Sequence, residues 1–280
     1  MLSQTFNKLL LVLLLLSPAI DSKAFWFSVP DATDVIVTMG AASKKLLDPT
    51  SIKLLVWNMY KGKNESWEDD FNYLKENRDI LVLQESLMND HMEGILNNDN
   101  DFSYLLATSF VYKKGKKRTG VVTGSSVLPV NSYHKKSRDL EWIGLTPKAM
   151  LFTEYLLSGY KETLLVVNIH AINSVPWFIL ARQLKQAGKK IKKHDGPVVF
   201  AGDFNTWTKK KIKYMRKYLT SVGLVEVNFP NGDKRMKSSF TKKILDYIWI
   251  KDLNYTNSYV WEDIEGADHK AMSVELSVKD

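Results

Sequence analysis

The sequence predicts a single sheet-dominated α/β domain, and three observations carry that prediction. Short β-rich runs at 52–57, 80–84, 120–130, 149–155, 163–169, 198–201, 245–250 and 272–278 are separated by turn residues. Helix-spaced stretches fall between them at 67–76, 90–96, 175–193 and 209–222. With 280 residues and 45% apolar content, the chain can bury a core large enough for one layered α/β or all-β domain. Charged residues at 25% and aromatics at 11% exclude a chain disordered throughout.

Taken in order, residues 1–24 have the layout of a secretory signal peptide. Lys8 gives a positive start, an apolar run fills 9–16, Pro18 breaks it, and Ser22-Lys23-Ala24 offers a cleavage site. The competing reading is an uncleaved anchor, but a bilayer span needs roughly 20 apolar residues. Residues 25–50 have weak periodicity and read as a lead-in segment packed on, or draped over, the catalytic domain, which is expected to occupy 51–280. In the third helical stretch Trp177, Leu180, Ala181, Leu184, Ala187, Gly188 and Ile191 recur at helical spacing, so that helix covers a sheet and leaves its lysines outside. There is no solenoid-period repeat and no low-complexity linker. The absence of cysteine excludes thiol chemistry and disulfides despite the predicted export.

The net charge is +8, and the cations are unevenly placed. Lys113-Lys114-Gly115-Lys116-Lys117-Arg118, Lys189-Lys190-Ile191-Lys192-Lys193 and Lys209-Lys210-Lys211 form three clusters. Such a distribution favours polyanionic partners, either nucleic acid or an anionic membrane surface, through counterion release.

Several apolar runs end in polar side chains. The strongest is Val198-Val199-Phe200-Ala201-Gly202-Asp203-Phe204-Asn205, where extended backbone would turn Asp203 and Asn205 to one side. A turn-capping role for either residue is the alternative. The run from Thr163 ends in Asn168-Ile169-His170, the run from Lys53 in Trp57-Asn58, and the run from Ile80 in Gln84-Glu85. A glutamate directly after a buried strand must be solvated, paired or metal-bound. Near the C-terminus stand Leu245-Asp246-Tyr247-Ile248 and Gly266-Ala267-Asp268-His269; Asp246 is a candidate to bind one ring nitrogen of His269 and fix its tautomer.

Together, in this order and spacing, these six motifs resemble the endonuclease/exonuclease/phosphatase superfamily, the group typified by deoxyribonuclease I. The resemblance covers nearly the whole chain from about Ile52 to Val278. It implies a four-layer α/β sandwich of two packed mixed β-sheets flanked by helices, with the site at one edge. It implies magnesium, or manganese in its place, held by Glu85 with Asn58 and Asp268. It also implies that Asp203 orients or deprotonates water, Asn205 holds phosphate or water, His170 and His269 act on the phosphoryl oxygens, and Asp246 supports His269. The segment 118–125 is similar to the family's glycine-bearing central strand and 147–151 to its following strand, where a basic residue often occurs, so Arg118 and Lys148 are candidate substrate contacts; the alternative is that both are surface charges. Hard oxygen ligands suit magnesium, and the histidines show no zinc-type spacing. Two departures stand out: Ala267 where the family has serine, and Lys270 where an aromatic or apolar residue is usual.

The expected function is an exported, secreted or periplasmic, magnesium-dependent phosphodiesterase, with a nuclease acting on DNA or RNA as the leading reading. A phospholipid-directed phosphoesterase is the second, with Trp142-Ile143 and 255–261 as candidates for a membrane-facing apolar hairpin. A non-catalytic polyanion-binding module is the third. No obligate protein partner is expected.

Overall fold

The computed structural model describes residues 26–141, 146–230, 233–235, 237 and 241–279. Residues 1–24, expected from the sequence to direct export, and Trp142-Ile143 lie outside them. Among these residues two mixed sheets pack face to face. The first runs β1 (Phe27–Ser28), β6 (Ser103–Tyr112), β7 (Arg118–Ser125), β5 (Ile80–Leu87), β4 (Ile52–Asn58), β15 (Ala271–Val278), β14 (Leu253–Trp261), with β2 (Ile36–Gly40) also on β6. The second runs β12 (Val225–Glu226), β13 (Asp246–Lys251), β11 (Val198–Asp203), β10 (Leu164–His170), β9 (Ala149–Leu157), β3 (Leu46–Leu47), with β8 (Asn131–Lys136) also on β9.

Each central strand is apolar on both faces because it is buried on both. Leu54, Val56, Val82, Val166, Val199, Ala201, Ile248 and Met272 fill the space between the sheets. On the outer face of the first sheet lie α1 (Trp67–Lys75) and α2 (Asp90–Asn97), contributing Trp67, Phe71, Leu74, Met92 and Leu96. The second sheet is covered by α3 (Trp177–Ile191) and α4 (Lys209–Ser221), through Leu180, Leu184, Ala187, Ile191, Met215 and Leu219. The four-layer sandwich expected from the sequence is therefore the observed fold.

Strand direction puts the site at one edge. β4 and β5 are parallel and β15 is antiparallel to β4, so the ends of β4 and β5 and the start of β15 meet. In the second sheet β10 and β11 are parallel and β13 antiparallel, giving the same arrangement. The sheets are fastened just behind this edge. Asn168 Nδ2 donates to Val122 O at 2.8 Å and Leu83 O at 3.1 Å, and Gln84 Nε2 donates to Asn168 Oδ1 at 2.9 Å. These partners are buried, where a lost hydrogen bond is expensive.

Several expectations need correction. The lead-in segment is not draped: β1 and β2 extend the first sheet and β3 the second. The run at 120–130 ends as a strand at Ser125, and β8 follows separately. Residues 255–261 form part of the edge strand β14, where Trp261 Nε1 donates to Ser273 Oγ; they are not a projecting hairpin.

Candidate active site

Three contacts at the common edge each join one sheet to the other. Asn58 Nδ2 lies 3.3 Å from Asp203 Oδ2, His170 Nε2 lies 3.9 Å from Glu85 Oε1, and His269 Nδ1 lies 2.8 Å from Asp246 Oδ2. Asn58 Nδ2 also reaches Glu85 Oε1 at 3.5 Å. Residues far apart in sequence thus form one cluster.

Local backbone sets the aim of each group. The pairing of β5 with β7 shifts register between Leu83 and Ser86, and Glu85 in this bulge has φ 51°. A bulge re-aims a side chain, and here it turns the Glu85 carboxylate out of the pleat toward the opening. Gly202 has φ 133°, and a Cβ there would stand 2.0 Å from Ile169 O, so the approach of β10 and β11 behind Asp203 requires glycine. Beyond Asp203 the chain is not extended. Asn205 has φ 48°, and its N–H donates to Asp203 Oδ1 at 2.8 Å. Asp203 therefore caps the turn with one oxygen while presenting Oδ2 to Asn58 and His170, so the two readings of this motif coexist. The Asn205 amide donates to Ala171 O and accepts from Trp207 Nε1, which seals it into the wall. Asp268 and His269 lie in a loop before β15, not on a strand. That loop is held by Asp70, whose Oδ2 accepts from Gly266 N at 2.7 Å, and by Trp57 Nε1 donating to His269 O at 3.1 Å.

Electrostatics divide the two imidazoles. Burial would push His269 down, but Asp246, Asp203 and Asp268 outweigh it and hold the ring up at about 10, so it is a cation at neutral pH. Burial holds His170 well below its ordinary value, helped by Lys148, His269 and Lys61. Its contact with Asp203 Oδ2 at 3.6 Å therefore involves a neutral ring and is not an ion pair. Burial, with the Asp246 and Glu85 carboxylates adding, pushes Asp203 up to about 7. Asp268 as a residue is exposed, but partial desolvation of its carboxyl, with Glu85 adding, raises it above its ordinary value.

The donor set fits a hard divalent cation. Glu85, Asp203, Asp246 and Asp268 repel one another, and Asp246 Oδ1 is buried without a hydrogen-bond partner among the described residues. The tightest grouping of ligand atoms is Asp203, Asp246 and His269, all within 4.8 Å of one another. Protonated and bonded to Asp246, His269 Nδ1 has no lone pair for a metal. Glu85 is a further carboxylate that could hold such an ion; Asn58 could join it only through Oδ1, which accepts from Tyr60 N at 3.2 Å, since its Nδ2 is the atom turned to Glu85.

A cleft of about 640 Å³ opens beside Glu85 and His170. Lys148 lines it, 3.4 Å from Glu141. Arg118 does not line it: its guanidinium is held by Asp34, at 2.8 and 2.9 Å from the two carboxylate oxygens. Lys270 turns back to Glu262 O and Ile264 O, away from any substrate role. Sequence reasoning missed Lys61, Tyr112, Phe110, Phe27 and Trp26, which wall the cleft. Lys61 Nζ donates to Tyr112 Oη at 3.2 Å; burial opposes its charge, while Tyr112, Glu85 and Glu141 hold it above its ordinary range. A positive φ at Tyr60 and Lys61, immediately after Asn58, is the feature that brings Lys61 in.

The fold is of the phosphoesterase type that deoxyribonuclease I typifies, with a polar cluster at its edge, and the sequence comparisons agree. The model of the Endonuclease/Exonuclease/phosphatase family matches residues 55–269, and the chain belongs to that family. A UPF0294 protein of Vibrio parahaemolyticus is 29% identical over 279 residues, covering 95% of this chain and 96% of the relative. Among solved structures, an endonuclease/exonuclease/phosphatase from Beutenbergia cavernae superposes with TM-score 0.63 at 14% identity, over 82% of this chain and 72% of that one. The endonuclease domain of TRAS1, a telomere-specific non-LTR retrotransposon, gives 0.56 at 16%, over 82% and 100%. A mannosyl-6-phosphatase from Bacteroides thetaiotaomicron gives 0.57 at 14%, over 81% and 99%. At these identities the likeness is one of fold.

Proposed function

We propose that this chain is an exported, magnesium-dependent phosphodiesterase whose substrate is nucleic acid. The observation that carries the reading is the set of three inter-sheet contacts, which gathers carboxylates, one neutral and one cationic imidazole at the end of a cleft walled by Lys61 and Lys148. Glu85, with Asp268 nearby and Asn58 through its Oδ1, would hold a divalent ion, which would supply charge neutralisation at a phosphoryl oxygen. Asp203, ionising near neutrality, takes a proton from the attacking water. Neutral His170 beside it accepts or relays that proton. The His269 imidazolium, steadied by Asp246, donates Nε2–H to the phosphoryl oxygen as charge develops. Asn205 does not reach for phosphate; it keeps Asp203 in place through its backbone N–H.

The cleft's paired lysines and aromatic wall suit a phosphate chain with planar bases. The structural neighbour TRAS1, an endonuclease, supports the nuclease reading; the mannosyl-6-phosphatase shows that the fold alone leaves the ester open. The deciding experiment incubates protein lacking residues 1–24 with plasmid DNA and with RNA, in magnesium with and without chelator. Cleavage abolished by chelator is expected, and intact polymer in every condition would refute the proposal. A lipid substrate has one observation in its favour: Trp26 at the cleft rim is 72% exposed. Release of headgroup from sphingomyelin or phosphatidylglycerol vesicles, without polymer cleavage, would move the assignment there.

A further inference from the structure

A second groove, of about 760 Å³, lies between α3 and the β8 edge, away from the catalytic cluster. Lys135, Arg138, Lys185, Lys189, Lys192 and Lys193 line it, and none of the lining residues is acidic. None of these six has an ion pair with a carboxylate among the described residues, whereas Arg182 beside them is bonded to Asp139 at 2.8 Å. Six unneutralised cations converging on a concavity repel one another, and the arrangement is relieved by a polyanion that displaces their counterions. Along α3 the rise per residue sets Lys185 and Lys189 about 6 Å apart on the helix axis, and Lys192 and Lys193 follow in the turn just past its C-terminus. The catalytic edge and the groove are joined by one short segment: Ser137 N donates to Lys148 O at 2.8 Å, with Arg138 next in sequence on the groove side and Lys148 in the cleft.

We propose that this groove is a binding track for a nucleic-acid strand, holding the phosphate backbone beyond the cleaved bond and feeding it toward Lys148. A single extended strand is favoured over a membrane because the cations line a concave groove, which a flat bilayer surface does not fill, and because Arg138 adjoins Ser137, which is bonded to Lys148 of the cleft. The assignment goes beyond the catalytic reading and is tested without catalysis, so that either can fail alone.

The measurement is binding of a fluorescein-labelled single-stranded DNA of about 20 nucleotides in chelator, by polarisation, across a salt series. The triple variant K185E/K189E/K193E is compared with K45E/K161E/K279E, which makes the same charge change at exposed lysines elsewhere. The groove triple should weaken binding by tenfold or more and lower the salt slope by about 2–3; the control should change it by less than about threefold. Lys189→Ala alone, the milder variant, should weaken binding by a few-fold. Equal losses in both triples would mean that net charge alone acts, and unchanged binding in the groove triple would mean that the groove is idle; each overturns the proposal. A loss confined to phosphatidylglycerol vesicles would assign the groove to a membrane surface and overturn it too.

Discussion

In the proposed mechanism His269, with Nδ1 bonded to Asp246, turns Nε2–H to substrate. Asp246→Asn removes the carboxylate that sustains the imidazolium, so the alkaline limb of the pH–rate profile should move to lower pH and kcat should fall more than KM rises. An unshifted limb would deny His269 its cationic role. Glu85→Ala should lower kcat/KM by about 10²–10³ or more while leaving the melting temperature within a few degrees. Retained activity would restore the reading of a binding module. The raised ionisations also predict how stability responds to pH. His269, held at about 10 against an ordinary 6.5, contributes stability that is complete below about pH 6.5 and lost as pH rises through about 10. Asp203, raised from 3.8 to about 7, contributes stability that is complete below about pH 4 and lost as pH rises through about 7. Thermal melts in chelator should therefore fall steadily from about pH 4 to 10, and magnesium should flatten the fall. At this scale the sequence picked out the polar side chains that end or begin buried runs and that the structure gathers at one edge, Asn58, Glu85, His170, Asp203 and Asp246, because an apolar strand leaves its terminal polar group to be paired or solvated at the sheet's rim. It did not expose Lys61 or Tyr112, whose approach depends on a positive-φ loop and on the packing of β6. It misassigned Arg118 because nothing local announces Asp34 as its partner.

Among the elements, the central strands were legible as short apolar runs and the four helices by their spacing, with ends differing by a residue or two. Of the strands of six residues or more, those that escaped fall into two kinds. β6 is buried along most of its length and shows no alternation, so its run does not distinguish strand from helix. β8 and β14 are edge strands with many polar, part-exposed residues, which is how edges avoid pairing with other chains. Gly202 offers a sharp test of the β10–β11 approach. Gly202→Ala should destabilise the protein by about 3 kcal/mol and reduce activity more than stability alone explains, since the displaced backbone carries Asp203. A variant as stable and active as the parent would show that the strands can part at no cost.

For the molecule as a whole, the two-sheet topology explains why residues from Asn58 to His269 act together: three strand directions in each sheet deliver them to one rim. The sandwich followed from the motif order, whereas the contribution of residues 26–47 to both sheets and to the cleft wall did not, because short strands with little periodicity are fixed by their partners. Trp26→Ala with Phe27→Ala should raise KM several-fold for a polymeric substrate and leave kcat nearly unchanged, because these rings face the cleft but stand outside the charged cluster. A fall in kcat with constant KM would place them in the chemistry instead. Dialysis against chelator should abolish activity, and magnesium or manganese should restore it.

The bond network of Gln84 and Asn168 ties catalytic geometry to mechanical registry. Asn58–Asp203, His170–Glu85 and His269–Asp246 each tie groups of one hydrogen-bonded sheet or its approach to the other, so a slip of one sheet over the other by a fraction of an ångström would misalign these three at once. Loosening that rivet with Asn168→Ala should produce an enzyme that dies on warming well before its core melts, so that heat inactivation and loss of near-ultraviolet dichroism separate into two transitions.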